Sequence, residues 1–152
     1  MVYFIIALCL LCVDLYCKHR VRVNYTKDFT LCKNKITITR IFNDVAMLGF
    51  MKDHAGKLLN ITLVFLGILI GALLMLIGHK NKKLQKWGLT LMLAGAGSNI
   101  YDRLTRGRVT DYIQFNFGPE KFRQTVFNIG DCFIFIGGIL SVIGFSKAET
   151  NI

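Results

Sequence analysis

The chain has 152 residues, 53% of them hydrophobic, and its mean hydropathy is +0.48. Long apolar runs, 14 Gly and a single Pro are typical of a polytopic membrane protein and exclude an ordinary soluble domain. The formal net charge of +10 indicates attraction to anionic lipid headgroups. Nucleic-acid binding is the weaker interpretation, because no basic face stands apart from the apolar segments.

Four apolar segments predict an all-α membrane protein, a single integral membrane domain over residues 1–152 with four transmembrane helices. We expect these helices at about residues 2–18, 60–78, 85–103 and 127–146. The first lacks the basic start and the small-residue cleavage site of a secretory signal peptide, so we expect it to be retained. Two segments are short for a span, and we expect snorkelling at Lys18 to extend the first and continuation to Arg103 to extend the third.

The loops at 19–59 and 104–126 are expected to form a small β-rich element. Residues 35–42 alternate polar and apolar side chains with β-branched residues, which predicts a strand. Residues 109–127 predict a hairpin of two aromatic-rich strands around a Gly-Pro turn. Residues 47–58 predict a short interfacial helix that lies on the membrane through Met47, Leu48, Phe50 and Met51.

The five cysteines follow no repeated spacing and predict neither a disulfide framework nor a zinc site. We expect them to be small buried hydrophobic residues. They are Cys9, Cys12, Cys17, Cys32 and Cys132.

Charge leaves the orientation in conflict. The short loop at 79–86 has four Lys and no acid, which favours the cytoplasm for that loop. The two loops on the opposite side hold more Lys and Arg in total, nine in 17–59 and five in 101–126. Composition alone leaves both orientations open.

Two carboxylates lie where a membrane protein rarely places them. Asp111 ends a polar stretch that starts at Asn99, and Asp131 lies near the start of the last apolar segment. A carboxylate at membrane depth costs about 2.5 to 3.5 kcal/mol on insertion scales, so its default interpretation is functional. Two carboxylates that meet share one proton, and such a pair can activate a water for hydrolysis without a metal. Without Asp131, a solvated loop position would explain Asp111 as well as a functional role does.

Other polar residues have simpler explanations beside the functional one. Asp102 and Arg103 are most often an interfacial ion pair, and Asp14 and Lys18 an i,i+4 pair that anchors a helix end. Asn128 precedes Asp131 by three residues, so the two share a helix face and the amide can orient the carboxylate or the substrate. Glycines in the same segments predict a close approach of the third and fourth helices: Gly95, Gly97 and Gly130.

The stretch from about residue 94 to residue 138 resembles signal peptidase II, the bacterial prolipoprotein signal peptidase family. The matching motifs are Asn99-x-x-Asp102-Arg103, Gly107 followed by Val109-x-Asp111-Tyr-Ile, and Phe127-Asn128-x-x-Asp131. Further upstream, Asp14-x-x-x-Lys18 and Asn43 are similar to positions of the same family.

The resemblance implies an intramembrane aspartyl endopeptidase that removes the signal peptide from diacylglyceryl-modified prolipoproteins, cutting before the lipidated cysteine. It implies Asp111 and Asp131 as the catalytic pair. It implies support or substrate binding by Asn43, Asn99, Asp102, Arg103, Asn128, Asp14 and Lys18. The expected partners are the prolipoprotein and membrane lipids with anionic headgroups, with no cofactor, no metal and no nucleic acid, and we expect a monomer.

The family's topology also resolves the orientation conflict. It implies a multi-pass protein of the bacterial cytoplasmic (inner) membrane, with both termini in the cytoplasm and the active site near the outer leaflet. The small β-rich element of the loops at 19–59 and 104–126 is then extracytoplasmic.

The chain departs from the family pattern around the substrate positions. Leu15 stands where the family normally has Gln, and Asn43 is followed by Asp-Val-Ala-Met-Leu instead of a small Gly-Ala-Ala-Phe element. Ser98 precedes Asn99 where the family tends to have Gly. These departures leave open a non-catalytic paralogue that binds lipidated peptides. A second alternative is a small proton-coupled transporter that uses the carboxylates Asp14 and Asp131 as a relay.

Overall fold

The structure is a computed structural model that describes residues 1–24, 27–43 and 55–149. It is mostly helical with one small antiparallel sheet. The elements in chain order are α1 (Val2–Asn24), β1 (Phe29–Leu31), β2 (Ile36–Asn43), α2 (Ala55–Ile77), α3 (Lys83–Arg106), β3 (Val109–Phe115), α4 (Glu120–Gln124), β4 (Val126–Phe127) and α5 (Ile129–Glu149). The predicted interfacial helix, with Met47, Leu48, Phe50 and Met51, falls largely outside the described residues, and α2 begins at Ala55.

Three of the described helices are long and apolar enough to cross a membrane: α1, Lys57–Ile77 of α2 and Ile129–Ser146 of α5. Large apolar side chains on these helices are exposed, among them Val64, Met75 and Phe135, as expected for surfaces that face lipid. The fourth predicted span, α3, is not among the helices that are long and apolar enough to cross a membrane. Its buried side chains include many polar ones: Gln85, Lys86, Thr90, Ser98, Asn99 and Asp102.

The position of α3 explains its polarity. It contacts α1, α2 and α5, so other helices surround much of its surface. The small apolar core between these helices is formed by Ala7, Leu69, Leu73, Leu89, Leu93, Ala94 and Ala96. A helix in this position can carry polar residues toward its neighbours, which lowers the hydropathy of its sequence.

Helix α1 extends to Asn24, beyond the end expected at residue 18. The expectation of a snorkelling Lys18 is wrong, because this side chain is fully buried and its Nζ lies 2.9 Å from Asp14 Oδ2. A lysine that is paired inside the protein does not mark a membrane boundary, so the helix continues past it.

Helix α3 ends at Arg106, where Gly107 adopts a left-handed φ of 72° and donates its backbone N–H to Arg103 O. This conformation favours glycine, and it turns the chain directly into β3. Gly107, the glycine of the sequence motif, therefore serves to end α3 in a conformation that other residues rarely adopt.

Glycines spaced by seven residues allow α3 and α5 to pack at close range. A Cβ at Gly95 would lie 2.1 Å from Gly130 O, and one at Gly88 would lie 2.6 Å from Gly137 O. The predicted approach of Gly95 and Gly130 is thus confirmed. Gly97 instead faces Leu11 of α1, where an added Cβ would lie 2.8 Å from Leu11 Cδ1.

The sheet has the order β1-β2-β3-β4, and every neighbouring pair is antiparallel. Strand β2 confirms the strand predicted at residues 35–42. The predicted hairpin is only partly correct, since β4 has two residues and the short helix α4 precedes it. The helical turn places Phe122 against Phe115, with ring centroids 5.5 Å apart.

The cysteines are all free thiols, and the expectation that they are buried is wrong for Cys9, Cys12 and Cys32, which are exposed. Cys9 and Cys12 lie on α1, one of the apolar helices. Lipid can surround an apolar thiol as well as a protein core can, so burial inside the protein is not needed there.

We predict that Gly95→Ala destabilises the protein by about 1–3 kcal/mol, because the new methyl group overpacks the contact with the α5 backbone. Gly67→Ala on α2 is the matched control, since a Cβ there meets nothing within 4 Å. The control should be neutral or slightly stabilising, because alanine favours a helix over glycine. Thermal unfolding in detergent measures both, and equal melting temperatures would contradict the packing role of Gly95.

Candidate active site

Asn128 stands between the sheet and the last helix, directly after β4 and before α5. Its Oδ1 accepts the backbone N–H of Asp131 at 2.9 Å, and its own backbone N–H donates to Asp131 Oδ2 at 3.0 Å. This reciprocal pair is a capping box, which satisfies N–H groups at the start of α5. The cap therefore fixes the Asp131 carboxylate at the first turn of the helix.

The remaining polar group of the Asn128 side chain reaches the other candidate catalytic residue. Its Nδ2 donates to Asp111 Oδ1 at 2.7 Å. The second oxygen, Asp111 Oδ2, accepts from Asn43 Nδ2 at 2.8 Å. The register of the sheet supports this geometry, because Asn43 pairs with Val109 while Ile41 pairs with Asp111. Asp111 thus lies on β3 and is held from both sides by amides.

Asp131 receives a further hydrogen bond from α3. Asn99 Nδ2 donates to Asp131 Oδ1 at 2.9 Å. Both oxygens of Asp131 and both oxygens of Asp111 therefore accept a hydrogen bond, and Asn128 contacts both residues. Such donors orient a carboxylate without removing its ability to accept or give a proton.

The two carboxylates share one cleft. Its volume of about 20 Å³ has room for about one water molecule. Its lining residues are Asn43, Asn99, Arg103, Val109, Asp111, Val126 and Asp131. Five of the nine residues selected from the sequence therefore line this cleft, and Asn128 holds both of its carboxylates.

Asp14 and Lys18 lie outside the cleft and form a buried polar network beneath it. Both are fully buried, and Lys18 Nζ lies 2.9 Å from Asp14 Oδ2. The same ammonium donates to Ser98 Oγ at 2.9 Å and to Asn99 Oδ1 at 2.7 Å. Because Asn99 Oδ1 accepts from Lys18, the amide nitrogen of Asn99 points to Asp131. The pair therefore does more than anchor a helix end, since it orients an amide of the cleft.

Asp102 and Arg103 are neighbours in sequence with different partners. Asp102 Oδ1 forms salt bridges with Arg22 and Arg106, and Asp102 Oδ2 accepts the backbone N–H of Thr110 at 3.1 Å. Arg103 lines the cleft instead. The interpretation of these two residues as an ion pair with each other is therefore wrong: Asp102 joins α1, α3 and β3, and Arg103 is left to face the carboxylates.

The electrostatic environment of β3 favours protonated groups. Burial raises the pKa of the Asp111 carboxyl, although hydrogen bonds from Asn43 and Asn128 and the charges of Lys18 and Arg103 act in the opposite direction. Burial, with the negative charge of Asp14 nearby, also raises the pKa of Tyr112. Tyr112 therefore stays a neutral donor, and its hydroxyl donates to Asp14 Oδ1 at 3.2 Å.

Residue-by-residue inspection of the sequence missed several supporting residues. Ser98 donates to Asp14, Tyr112 links Asp14 to β3, and Arg22 and Arg106 pair with Asp102. The sequence does contain a signal for Arg22, because Asp14, Lys18 and Arg22 recur every four residues and therefore lie on one face of α1. Within the described part of the chain, no three His, Cys, Asp or Glu side chains are grouped so as to hold a metal ion.

Comparison with known proteins assigns the chain to a family. The family model for signal peptidase (SPase) II matches residues 6–147. The chain belongs to the signal peptidase II family. It is therefore a member of a peptidase family, and with its apolar helices it is a multi-pass membrane protein.

Two relatives in the signal peptidase II family are identical to this chain at about a third of the aligned positions. The lipoprotein signal peptidase of Clostridium tetani is 30% identical over 128 residues, which is 84% of this chain and 80% of that protein. The lipoprotein signal peptidase of Histophilus somni is 33% identical over 116 residues, 74% of this chain and 68% of that protein.

A solved structure has the same fold over nearly the whole chain. A bacterial membrane enzyme solved by the in meso method at 2.3 Å resolution superposes with a TM-score of 0.81 and 25% identity. The match covers 99% of this chain and 90% of that one.

We predict that Lys18→Met destabilises the protein by about 3–5 kcal/mol, because Asp14 would keep a buried charge without its partner. The double variant Asp14→Asn with Lys18→Met should regain part of this loss, since no unpaired charge remains. Arg20→Met, an exposed position on the same helix, is the control. Thermal unfolding in detergent checks all three, and a double variant no more stable than Lys18→Met would contradict the charge-pair explanation.

Proposed function

We propose that this protein is an intramembrane aspartyl endopeptidase that removes the signal peptide from diacylglyceryl-modified prolipoproteins and cuts before the lipidated cysteine. Membership of the signal peptidase II family supports the substrate class. The observation that carries the mechanism is the hydrogen bonding of Asn128 to both Asp111 and Asp131 at one cleft. Two carboxylates held in this way are suited to acid–base hydrolysis.

In the proposed mechanism the pair carries one proton between its two members. The ionised carboxylate takes a proton from a water in the cleft, and the oxygen of that water attacks the scissile carbonyl carbon. The protonated carboxyl donates its proton to the carbonyl oxygen, which gives a neutral tetrahedral intermediate. The protonated carboxyl then gives its proton to the leaving nitrogen, while the ionised carboxylate takes a proton from one hydroxyl of the intermediate. The C–N bond breaks as the new carbonyl forms, and the pair again holds one proton. The two groups titrate together, so neither Asp has a fixed role.

The other cleft residues have supporting roles in this proposal. Asn43 and Asn99 hold the carboxylates through their amide nitrogens. Arg103 contributes a guanidinium to the same cleft and is suited to binding a carbonyl oxygen of the substrate backbone. Asp14, Lys18 and Asp102 act as positioning residues, because their contacts run through other side chains or the backbone of β3.

We propose a four-span arrangement in which α3 crosses the bilayer together with α1, α2 and α5. Burial of its polar side chains among the neighbouring helices supports this span despite its low hydropathy. The proposed orientation puts both termini in the cytoplasm of a bacterium and the sheet, with the cleft, near the outer leaflet of the inner membrane. We also propose that a monomer contains the complete site, since one chain supplies all the contacts described above.

We predict that Asp111→Asn and Asp131→Asn each lower the cleavage rate of a diacylglyceryl-modified prolipoprotein at least about 100-fold, because either change removes an acid or base. Asp28→Asn, an exposed carboxylate, is the charge-matched control and should cleave at the rate of the unchanged protein. Purified protein in detergent and gel analysis of the products measure the rates. The rate should also persist in a chelator.

The same assay separates the alternatives. Substrate that binds to the unchanged protein without cleavage would support a non-catalytic paralogue and contradict the peptidase proposal. Proton-coupled flux into liposomes, with no cleavage, would support a transporter.

The shared proton predicts a bell-shaped dependence of kcat/KM on pH. At low pH both carboxyls are protonated and no base remains, while at high pH both are ionised and no acid remains. Because burial raises the pKa of Asp111, activity should persist to a higher pH than an ordinary solvated carboxyl would allow. A pH series in detergent checks this, and a rate that rises continuously into the alkaline range would contradict a shared proton.

A further inference from the structure

Two arginines, Arg40 on β2 and Arg108 directly before β3, lie over one aromatic ring. The guanidinium carbon of Arg108 lies 4.3 Å from the ring centroid of Phe42, and that of Arg40 lies 5.9 Å from it. Phe42 is 39% exposed, so the ring and both cations face the surface. A guanidinium that stacks on a ring keeps its N–H edge available for a ligand.

These two cations have no acidic partner among the described residues. The salt bridges of this part of the chain join Asp14 and Asp102 to Lys18, Arg22 and Arg106. Arg40 instead donates to the backbone carbonyl of Arg22 at 2.9 Å, which fixes the guanidinium beside the last turn of α1. The surface here therefore carries an excess of ordered positive charge.

The two arginines lie close to the cleft and beside exposed apolar side chains. Phe42 pairs with Thr110 across β2 and β3, and it directly precedes Asn43, which holds Asp111. Arg108 lies just past the end of α3 at Arg106, one residue after the left-handed Gly107. Ile41 beside Phe42 is also exposed, at 45%. Apolar side chains flanked by arginines are typical of a surface at the level of lipid headgroups.

We propose that Arg40 and Arg108, stacked on Phe42, bind the phosphate of an anionic phospholipid beside the cleft. The planar fork of arginine matches a phosphate oxygen pair, and an anionic headgroup lacks the ammonium that would oppose these cations. The exposed apolar residues favour a lipid over a free anion or a soluble acidic peptide. A bound lipid would hold the β2–β3 end of the sheet, with Asn43 and Asp111, at a fixed depth. The inference rests on the membrane arrangement of the proposed function.

The test measures lipid binding without substrate. Purified protein in neutral detergent is titrated with short-chain phosphatidylglycerol or phosphatidylcholine, and bound lipids are counted by native mass spectrometry. We expect preferential binding of phosphatidylglycerol, and Arg40→Gln with Arg108→Gln should weaken it at least about fivefold. The matched control is Lys35→Gln with Lys121→Gln, which removes the same charge at exposed positions near the opposite end of β2 and β3 and should change binding less than twofold.

A conservative variant keeps the test decisive if the glutamine variant does not fold. Arg40→Lys with Arg108→Lys retains the charge without the planar fork and should bind the anionic lipid with intermediate strength. Equal binding of the two lipids by the unchanged protein, or unchanged binding by the lysine variant and any folded glutamine variant, would overturn the proposal. Inorganic phosphate that competes with the lipid at equal concentration would assign the site to a free anion and also overturn it. Because no cleavage is measured, these results are independent of the peptidase assay.

Discussion

The side chain of Asn128 is the link on which the geometry of the site depends. Asp111 belongs to the sheet and Asp131 to a long helix, so neither element alone sets their relative position. Asn128 stands at the junction, after Phe127, which pairs with Ile113 of β3. Its Oδ1 caps α5 at Asp131 and its Nδ2 holds Asp111. The Asn128 side chain thus contacts both elements: it holds Asp111 on β3 and caps α5 at Asp131. These two local contacts together set the relative position of the two carboxylates.

Beneath this junction, the buried ammonium of Lys18 determines the orientation of a second amide. Its three contacts at hydrogen-bonding distance, with Asp14, Ser98 and Asn99, match the three donors of an ammonium group, and Asp102 Oδ2 lies farther away at 3.9 Å. A buried charge is stable only when such contacts replace water, which explains why α1 and α3 bring polar residues together inside an apolar bundle. The close contact of α3 with α5 at Gly95 then brings Asn99 within reach of Asp131.

The residues themselves single out Asp111, Asp131 and Asn128 of the candidate site, whereas the resemblance to signal peptidase II supplied the other positions. The interval from Asn128 to Asp131 is that of a helix cap, and a carboxylate such as Asp131 in an apolar segment has few explanations. The contacts of Ser98 and Tyr112 with Asp14 could not be predicted in this way, since they join positions more than 80 residues apart. The low hydropathy of α3 also depends on which helices surround it, and a local window of sequence does not contain that information. The short helix α4 before β4 places the ring of Phe122 against those of Phe115 and Phe127, a set of contacts that the strand pattern of the sequence does not contain.

The separation of Asp102 from Arg103 shows how the same network affects the cleft. Consecutive residues of a helix point about 100° apart, so α3 directs Asp102 toward α1 and β3 while Arg103 faces the carboxylates. Asp102 already accepts from Arg22, Arg106 and the backbone of Thr110, so the acceptors on both of its oxygens are engaged. If Asp102 lacked these partners, it would be an acceptor adjacent to Arg103, able to draw the guanidinium away from the cleft. The ion pair of Arg22 with Asp102 joins α1 to α3, and that of Arg106 lies within α3. With Asp102 occupied by these partners, Arg103 lines the cleft together with Asp111 and Asp131.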